Sequence, residues 1–244
     1  MDNQDDRINL VVKSNALIQK TRYELSLQEQ KLILYVISKI KPEDEDFMEY
    51  KIPLKTICEV CGVGVNGQNY KNFMDSTEKL SDKKFRLQTN EIDAVVRWIE
   101  TPALEKRTKT LKVRINPYLR PYLLQLHENF TQYELGSVLA MKSKYSIRLY
   151  ELLKSYAEYG EYEIDLDDLK EKLQTAEYPE YKNFRVKVLE KAMSEINEYT
   201  DLEVSFDPIR YSRVIGRIRF TIERKSSVAQ VATRVHRNAI IDAK

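Results

Sequence analysis

The stretch YKNFRVKVLEKAMSEINEY, residues 181–199, reads as one amphipathic helix. Phe184, Val188, Ala192 and Ile196 recur at four-residue steps, with Leu189 beside them, and form the apolar stripe of a half-buried helix. Lys182, Arg185, Lys187 and Lys191 crowd its first half, while Glu195 and Glu198 fall in its last turn. That order opposes the helix dipole, which favours acids at the start and bases at the end. Misplaced cations cost about 0.3–1 kcal/mol each at low salt, and a negatively charged ligand at that end would offset the loss. On a helical wheel Asn183, Lys187, Glu190, Lys191 and Ser194 occupy the open face. Arg185 projects from the first turn on the buried side, so it either braces the preceding helix or reaches a ligand. A surface helix with arbitrary charge placement and a recognition helix entering a DNA groove N-terminus first are the two readings.

The residues beyond Tyr199 favour the second. Leu202, Val204 and Phe206 alternate with polar residues, as do Ile218, Phe220 and Ile222 with Arg217, Arg219 and Thr221 between them. Between these strands lies DPIRYSRVIG, read as a loop with Pro208 and Gly216 as turn residues and Arg210 and Arg213 at its tip. A helix-turn-helix followed by a basic-tipped hairpin is a winged helix, in which the helix reads bases and the wing holds phosphate or the minor groove. The candidate DNA contacts are therefore Lys182, Asn183, Arg185, Lys187 and Lys191 on the helix, and Arg210, Arg213, Arg217 and Arg219 on the wing.

The pattern occurs twice. Ser26 to Glu29 is a capping box opening a helix with Ile33, Val36, Ile37 and Ile40 on one side. A strand over 47–54, a short helix over 55–61 and a helix over 69–83 come next, then strands over 85–88, 95–99 and 111–115. In the later half a helix over 144–159, a strand over 162–166 and a short helix over 167–173 precede residues 181–199. Tyr-Lys-Asn-Phe stands at 70–73 and again at 181–184; Leu34-Tyr35 matches Leu149-Tyr150, and Ile52 matches Ile164. The shared order implies duplication. The expected class is α+β, two tandem winged helices: a first over 10–116, a linking helix over 117–130, and a second over 131–225. Asn116-Pro117 caps the linker, and Thr131 to Glu134 reads as another capping box. Residues 1–9 read as disordered, 10–12 and 16–18 as a short strand or extended arm, and 226–244 as a tail, flexible or helical on Val228, Val231 and Val235. The first copy mixes acids with its cations, so Lys71, Asn72, Lys79, Lys106, Arg107 and Lys109 are expected to make weaker, phosphate-type contacts.

Composition excludes several classes. Net charge is +2 with 32% charged residues, so a nucleic-acid surface must be a local patch. No apolar run approaches membrane-spanning length, and the acidic start lacks a signal core, which places the chain in the cytoplasm. Gly62 to Gly67 fits a dinucleotide fingerprint literally but lacks the buried strand and parallel sheet it needs, so it reads as an inter-helix turn. Cys58 and Cys61 lack a second ligand pair and read as core residues, and His127 and His236 are too far apart in sequence for a nickase's metal pair. No catalytic residue, metal or cofactor is expected.

The segments VVKSNALI (11–18), LSLQEQKLILYVISKI (25–40) and YELGSVLAMKSKYSIRLYELLKSYA (133–157) resemble the iteron-binding initiators of theta-replicating plasmids, over nearly the whole chain from Val11 to Lys225. The resemblance implies two winged helices whose monomers bind repeated origin sites in double-stranded DNA. It implies self-association through the first domain, repression of the protein's own gene by dimers, opening of an AT-rich segment, and recruitment of the host replication initiator and replicative helicase. A tandem winged-helix transcription regulator and, from another class, a DNA nickase are the alternatives.

Overall fold

The computed structural model describes residues 6–61, 64, 67–88, 93–212 and 214–243. Two three-stranded antiparallel sheets carry the duplication. In the first half α2 (Leu27–Ile37) leads to β2 (Tyr50–Pro53), α3 (Leu54–Cys61) and α4 (Gly67–Asp82). The hairpin β3 (Lys84–Gln88) and β4 (Asp93–Arg97) is followed by β5 (Ala103–Glu105) and β6 (Thr110–Val113), and the sheet order is β2-β6-β5. In the second half α7 (Lys144–Lys154), β8 (Glu161–Asp165), α8 (Leu166–Leu173), the 181–199 helix, β9 (Leu202–Tyr211) and β10 (Val214–Arg224) repeat the plan, with order β8-β10-β9. In both sheets the first strand pairs with the last. The β3–β4 hairpin is an addition peculiar to the first half.

The repeated residues occupy matching places. Phe73 and Phe184 are both buried at the start of their helices, as are Leu34, Tyr35, Leu149 and Tyr150 on α2 and α7. Ile52 and Ile164 pair with Leu111 and Ile218 on the last strand of each sheet. The Ser26 capping box is present, its hydroxyl accepting from the Glu29 amide while the Glu29 carboxylate accepts from the Ser26 amide. Cys58 lies in the core on α3, and burial pushes its thiol up. Most of the 62–67 glycine turn lies outside the described residues; Gly67 already belongs to α4.

The junction between the halves departs from expectation. Residues 6–9 are ordered, with Asp6–Ile8 in a 3-10 turn. β1 (Leu10–Ser14) pairs antiparallel with β7 (Phe130–Glu134), from Leu10 opposite Glu134 to Ser14 opposite Phe130. Residues 131–134 are thus strand, not a capping box: Thr131 donates to the Asn15 side chain at 2.7 Å, and the Glu134 carboxylate binds Arg234 and Arg237. The spacing of a capping box is met here without its helix. Residues 16–18 fall in α1 (Asn15–Lys20), capped by Ser14, so the arm is helical. The linker is shorter than 117–130. Asn116 caps a 3-10 turn over Pro117–Leu119, and α5 (Arg120–Leu123) ends before β7; α6 (Leu135–Leu139) comes after it. Proline at the start of each short helix sets φ but removes donors that a longer helix would need.

A buried ionic cluster closes this junction. Glu151 on α7 accepts from Lys13 of β1 and from Tyr133 of β7, each at 2.7 Å, and both Lys13 and Glu151 are 1% exposed. Arg148, one turn before, donates to the carbonyls of Ile18 and Thr21 at 2.7 Å and lies 4.5 Å from the Tyr23 ring. Tyr23, Phe85 and Trp98 stack edge and face beside it, bringing in the first half. Lys31 of α2 donates to the Leu139 carbonyl at 2.7 Å, a second tie across the halves.

The tail is a single helix, α11 (Ser227–Asp242), with its amphipathicity reversed. Its buried residue is Arg237, held by Glu134, Ser137 and the Tyr199 carbonyl. Val228, Val231 and Val235, the apolar residues on which the sequence pattern would dock the helix, face outward. Ion pairing, with the added Arg7–Asp242 contact at 2.6 Å, fixes the helix together with Ile240 and Ile241, which are partly buried against the core.

The hairpin β9–β10 is longer than the loop reading allows. Pro208 sits within β9 opposite Ile218, tolerated because β9 is the sheet edge. Among the described residues the turn is confined to Ser212, at φ +57°. Gly216 makes a bulge between Ile215 and Arg217, and a Cβ there would lie 2.5 Å from the Tyr211 ring.

Two outcomes are expected. Burial alone would push the Glu151 carboxyl up, but the charges of Lys13 and Arg148 and the bonds from Lys13 and Tyr133 hold it below its ordinary value. Its stabilisation is therefore full above the unfolded value of about 4.3 and is lost as pH falls through the lower folded value. Glu151→Gln should cost about 3–5 kcal/mol in urea unfolding, because it strands buried Lys13, and should flatten the acid limb of the stability profile. Gly216→Ala should change stability by under about 0.5 kcal/mol, since an exposed ring can swing away, while shifting the Tyr211 ring signals in NMR spectra.

Candidate nucleic-acid interface

The 181–199 helix is continuous but not uniform. α9 (Tyr181–Phe184) and α10 (Lys191–Tyr199) flank a π-helical segment over Arg185–Glu190. A stripe repeating every four residues drifts by about 40° per step on a helix of 3.6 residues per turn. The wider π turn, with its i→i+5 bonds, takes up that drift. Phe184, Val188, Ala192 and Ile196 are consequently all 0% exposed, packed toward α7 and β9. The same turn places residues five apart together: Arg185 donates to Glu190 at 2.8 Å. Arg185 thus lies on the outer surface, not on the buried side where a regular wheel puts it.

The outward face carries the expected cations. Lys182, Lys187 and Lys191 are exposed and form no ion pair among the described residues. Asn183 is exposed and leans on Glu180 at 3.5 Å. Glu180 flanks the first turn without a side-chain cap, so amide donors at the helix start remain open. Val186, half exposed, stands between Arg185 and Lys187; sequence reasoning missed it. Its position off the four-residue stripe was the available signal. An exposed methyl-bearing side chain suits a thymine methyl in the major groove.

The wing arginines divide into two groups. Arg210 lies near the tip, opposite Ile215, and within electrostatic reach of the Tyr181 phenol at the helix start. Burial pushes that phenol above its ordinary value, and the charges of Arg185 and Arg210 pull against it. Arg213 lies outside the described residues. Arg217 and Arg219 sit lower, facing β8: Arg217 binds Asp165 at 2.8 Å and Glu163 at 3.1 Å, and Arg219 binds Glu163 at 2.9 Å. The hydrogen bonds from Arg219 and Arg217 hold the Glu163 carboxyl below its usual range, and those to Asp165 and Glu163 push Arg217 up. Their charge is largely answered within the sheet. Tyr211 and Val214, exposed beside the tip, escape sequence reasoning because they read as spacers between arginines.

In the first half, Lys71 and Lys79 are exposed on α4 without ion pairs among the described residues, while the Asn72 side chain lies outside them. Lys106, Arg107 and Lys109 form the β5–β6 turn, the counterpart of the β9–β10 tip. Lys109 takes φ +51°, and its carbonyl accepts the Leu54 amide at 2.9 Å, tying that tip to α3. Among the described residues no cluster of His, Cys, Asp and Glu is placed to hold a metal, and no helix is long and apolar enough to cross a membrane.

Comparisons with known proteins agree with this architecture. Residues 10–154 match the family described as "Initiator Replication protein, WH1", and residues 165–222 match "Initiator Rep protein, WH2". A replication initiation protein of Escherichia coli is 26% identical over 207 residues, covering 81% of this chain and 65% of the relative's length. The crystal structure of Pi initiator protein in complex with iteron DNA superposes with a TM-score of 0.73 at 20% identity, covering 91% of this chain and 99% of that one. At that identity the likeness establishes a shared fold. With both winged helices matched in order along most of its length, this chain belongs to the replication initiator Rep family.

Proposed function

We propose that this protein is a non-enzymatic initiator of plasmid replication that binds repeated origin sites in double-stranded DNA. The observation that carries the reading is one cationic edge. Lys182, Lys187 and Lys191, without ion pairs among the described residues, stand on the outer face of the 181–199 helix and adjoin Arg210 on the wing. Ammonium and guanidinium groups left without carboxylates, around an uncapped helix start, match the charge of a phosphate backbone. The helix supplies base contacts through Asn183, Val186 and Lys187, and the wing tip holds the flanking backbone. The first half adds phosphate contacts through Lys71, Lys79, Lys106, Arg107 and Lys109.

The resemblance to iteron-binding plasmid initiators extends the proposal. Bound copies on adjacent repeats open a neighbouring AT-rich segment with binding and bending energy, since the sequence carries no nucleotide-hydrolysing loop. They gather the host replication initiator and the replicative helicase. Self-association through the first half would let dimers repress the protein's own gene. Direct repeats in a footprint on the parent plasmid support the initiator reading, whereas one isolated palindrome would make this a transcription regulator. A covalent tyrosine–DNA product from supercoiled origin DNA and magnesium would overturn the non-enzymatic reading.

Two substitutions separate the roles. Lys187→Ala should cost about 1–3 kcal/mol of discrimination between the cognate duplex and one altered at the contacted base, measured by competition binding. Arg210→Ala should weaken binding to both duplexes and lower the salt slope by about 0.9. The pair Arg217→Ala and Arg219→Ala should change that slope by much less, because Glu163 and Asp165 already answer those charges.

A further inference from the structure

A groove runs beside the recognition helix that neither half forms alone. Lys83, just past α4, and Glu24, before α2, line it from the first half. Lys142 and Lys144, at the start of α7, and Lys187 and Lys191 of the 181–199 helix line it from the second. Five lysines thus face one channel in which Glu24 is the only lining carboxylate among the described residues.

The ion pairs do not neutralise this arrangement. Lys144 reaches Glu24 at 3.4 Å and Glu177 at 3.9 Å, and Lys83 reaches buried Glu29 at 2.9 Å. The ammonium groups of Lys142, Lys187 and Lys191 pair with no carboxylate among the described residues, while the Lys142 backbone amide donates to Glu195 at 3.1 Å. Ammonium groups gathered in one concave surface repel each other, and each is a strongly hydrated point charge suited to phosphate oxygens. The aromatic residues nearby are occupied: Tyr145 and Tyr178 pack edge to face at 6.2 Å, and the Tyr145 hydroxyl binds Glu177. A single strand would need free ring faces for its bases. The groove therefore suits the backbone of a duplex.

We propose that this groove holds the sugar–phosphate backbone flanking the bases read by the 181–199 helix, so that one DNA strand bridges both halves. The proposal rests on the DNA-binding reading above and adds Lys83, Lys142 and Lys144 to it. Lys142 is the decisive residue, being exposed and outside both the recognition helix and the wing. Binding through the groove makes affinity depend on how the halves are set against each other, which a contact confined to the second half would not.

The test is equilibrium binding of the full chain to a cognate duplex and a scrambled one over a range of salt. Variants are Lys142→Ala, the pair Lys142→Ala with Lys144→Ala, Lys142→Arg, and Lys41→Ala as an exposed lysine outside the groove. The slope of log affinity against log salt should fall by about 0.9 for Lys142→Ala, on both duplexes, and further for the double variant, by less than a second full step because Glu24 already answers part of the Lys144 charge. Lys142→Arg should restore it, and Lys41→Ala should leave it unchanged. Thermal melting confirms that each variant is folded. A double variant with the parent's slope overturns the groove proposal while leaving the recognition-helix reading intact. Failure of the parent chain to bind either duplex overturns both.

Discussion

The rest of the structure depends on the carboxylate of Glu151 and the ammonium of Lys13, paired where neither meets water. Removing two charges from solvent is costly, and the attraction repays it only when the remaining lone pairs are also satisfied. Here Tyr133 supplies a further donor, and Arg148 spends its own hydrogen bonds on the Ile18 and Thr21 carbonyls. The cluster draws on β1, β7, α1 and α7 and leans on the Tyr23–Trp98 aromatic group. Its geometry therefore fixes the first winged helix relative to the second. Because α7 also supports α10, the placement of the recognition helix is passed through the same element.

The two copies show how one plan diverges by charge. Each has a three-stranded sheet with its first strand against its last, and basic residues stand at or near each hairpin tip, Lys106, Arg107 and Lys109 in the first and Arg210 in the second. In the second copy the acids of β8 take up Arg217 and Arg219, leaving the positive charge concentrated at Arg210 and the helix start. The first copy inserts β3–β4, where Arg86 and Asp93 pair with each other. Local carboxylates thus decide which cations face a polyanion, although the net charge is only +2.

Much of this was legible from residues 181–199 outward, because a buried stripe and a repeated Tyr-Lys-Asn-Phe depend on short-range spacing. The Ser26 capping box was readable for the same reason. What escaped depends on partners distant in sequence. Nothing local marks 131–134 as the mate of 10–14, and the Thr-x-x-Glu spacing pointed the wrong way. The acids facing Arg217 and Arg219 come from a strand more than fifty residues earlier. Arg185 was misplaced because a regular wheel has no π turn. The valines of α11 face outward because an arginine buried against Glu134 overrode apolar patterning.

The pairing of β1 with β7 also sets an order of events during synthesis. Lys13 leaves the ribosome 138 residues ahead of Glu151. At usual elongation speeds that interval is on the order of ten seconds. For most of it the strand beginning at Leu10 has no mate, and throughout it its lysine has no Glu151 counter-ion. The leading half can build its own sheet meanwhile but cannot seal its back until the trailing half arrives. Such late, long-range closure slows folding and makes the nascent chain a natural client for chaperones that shield unpaired edges.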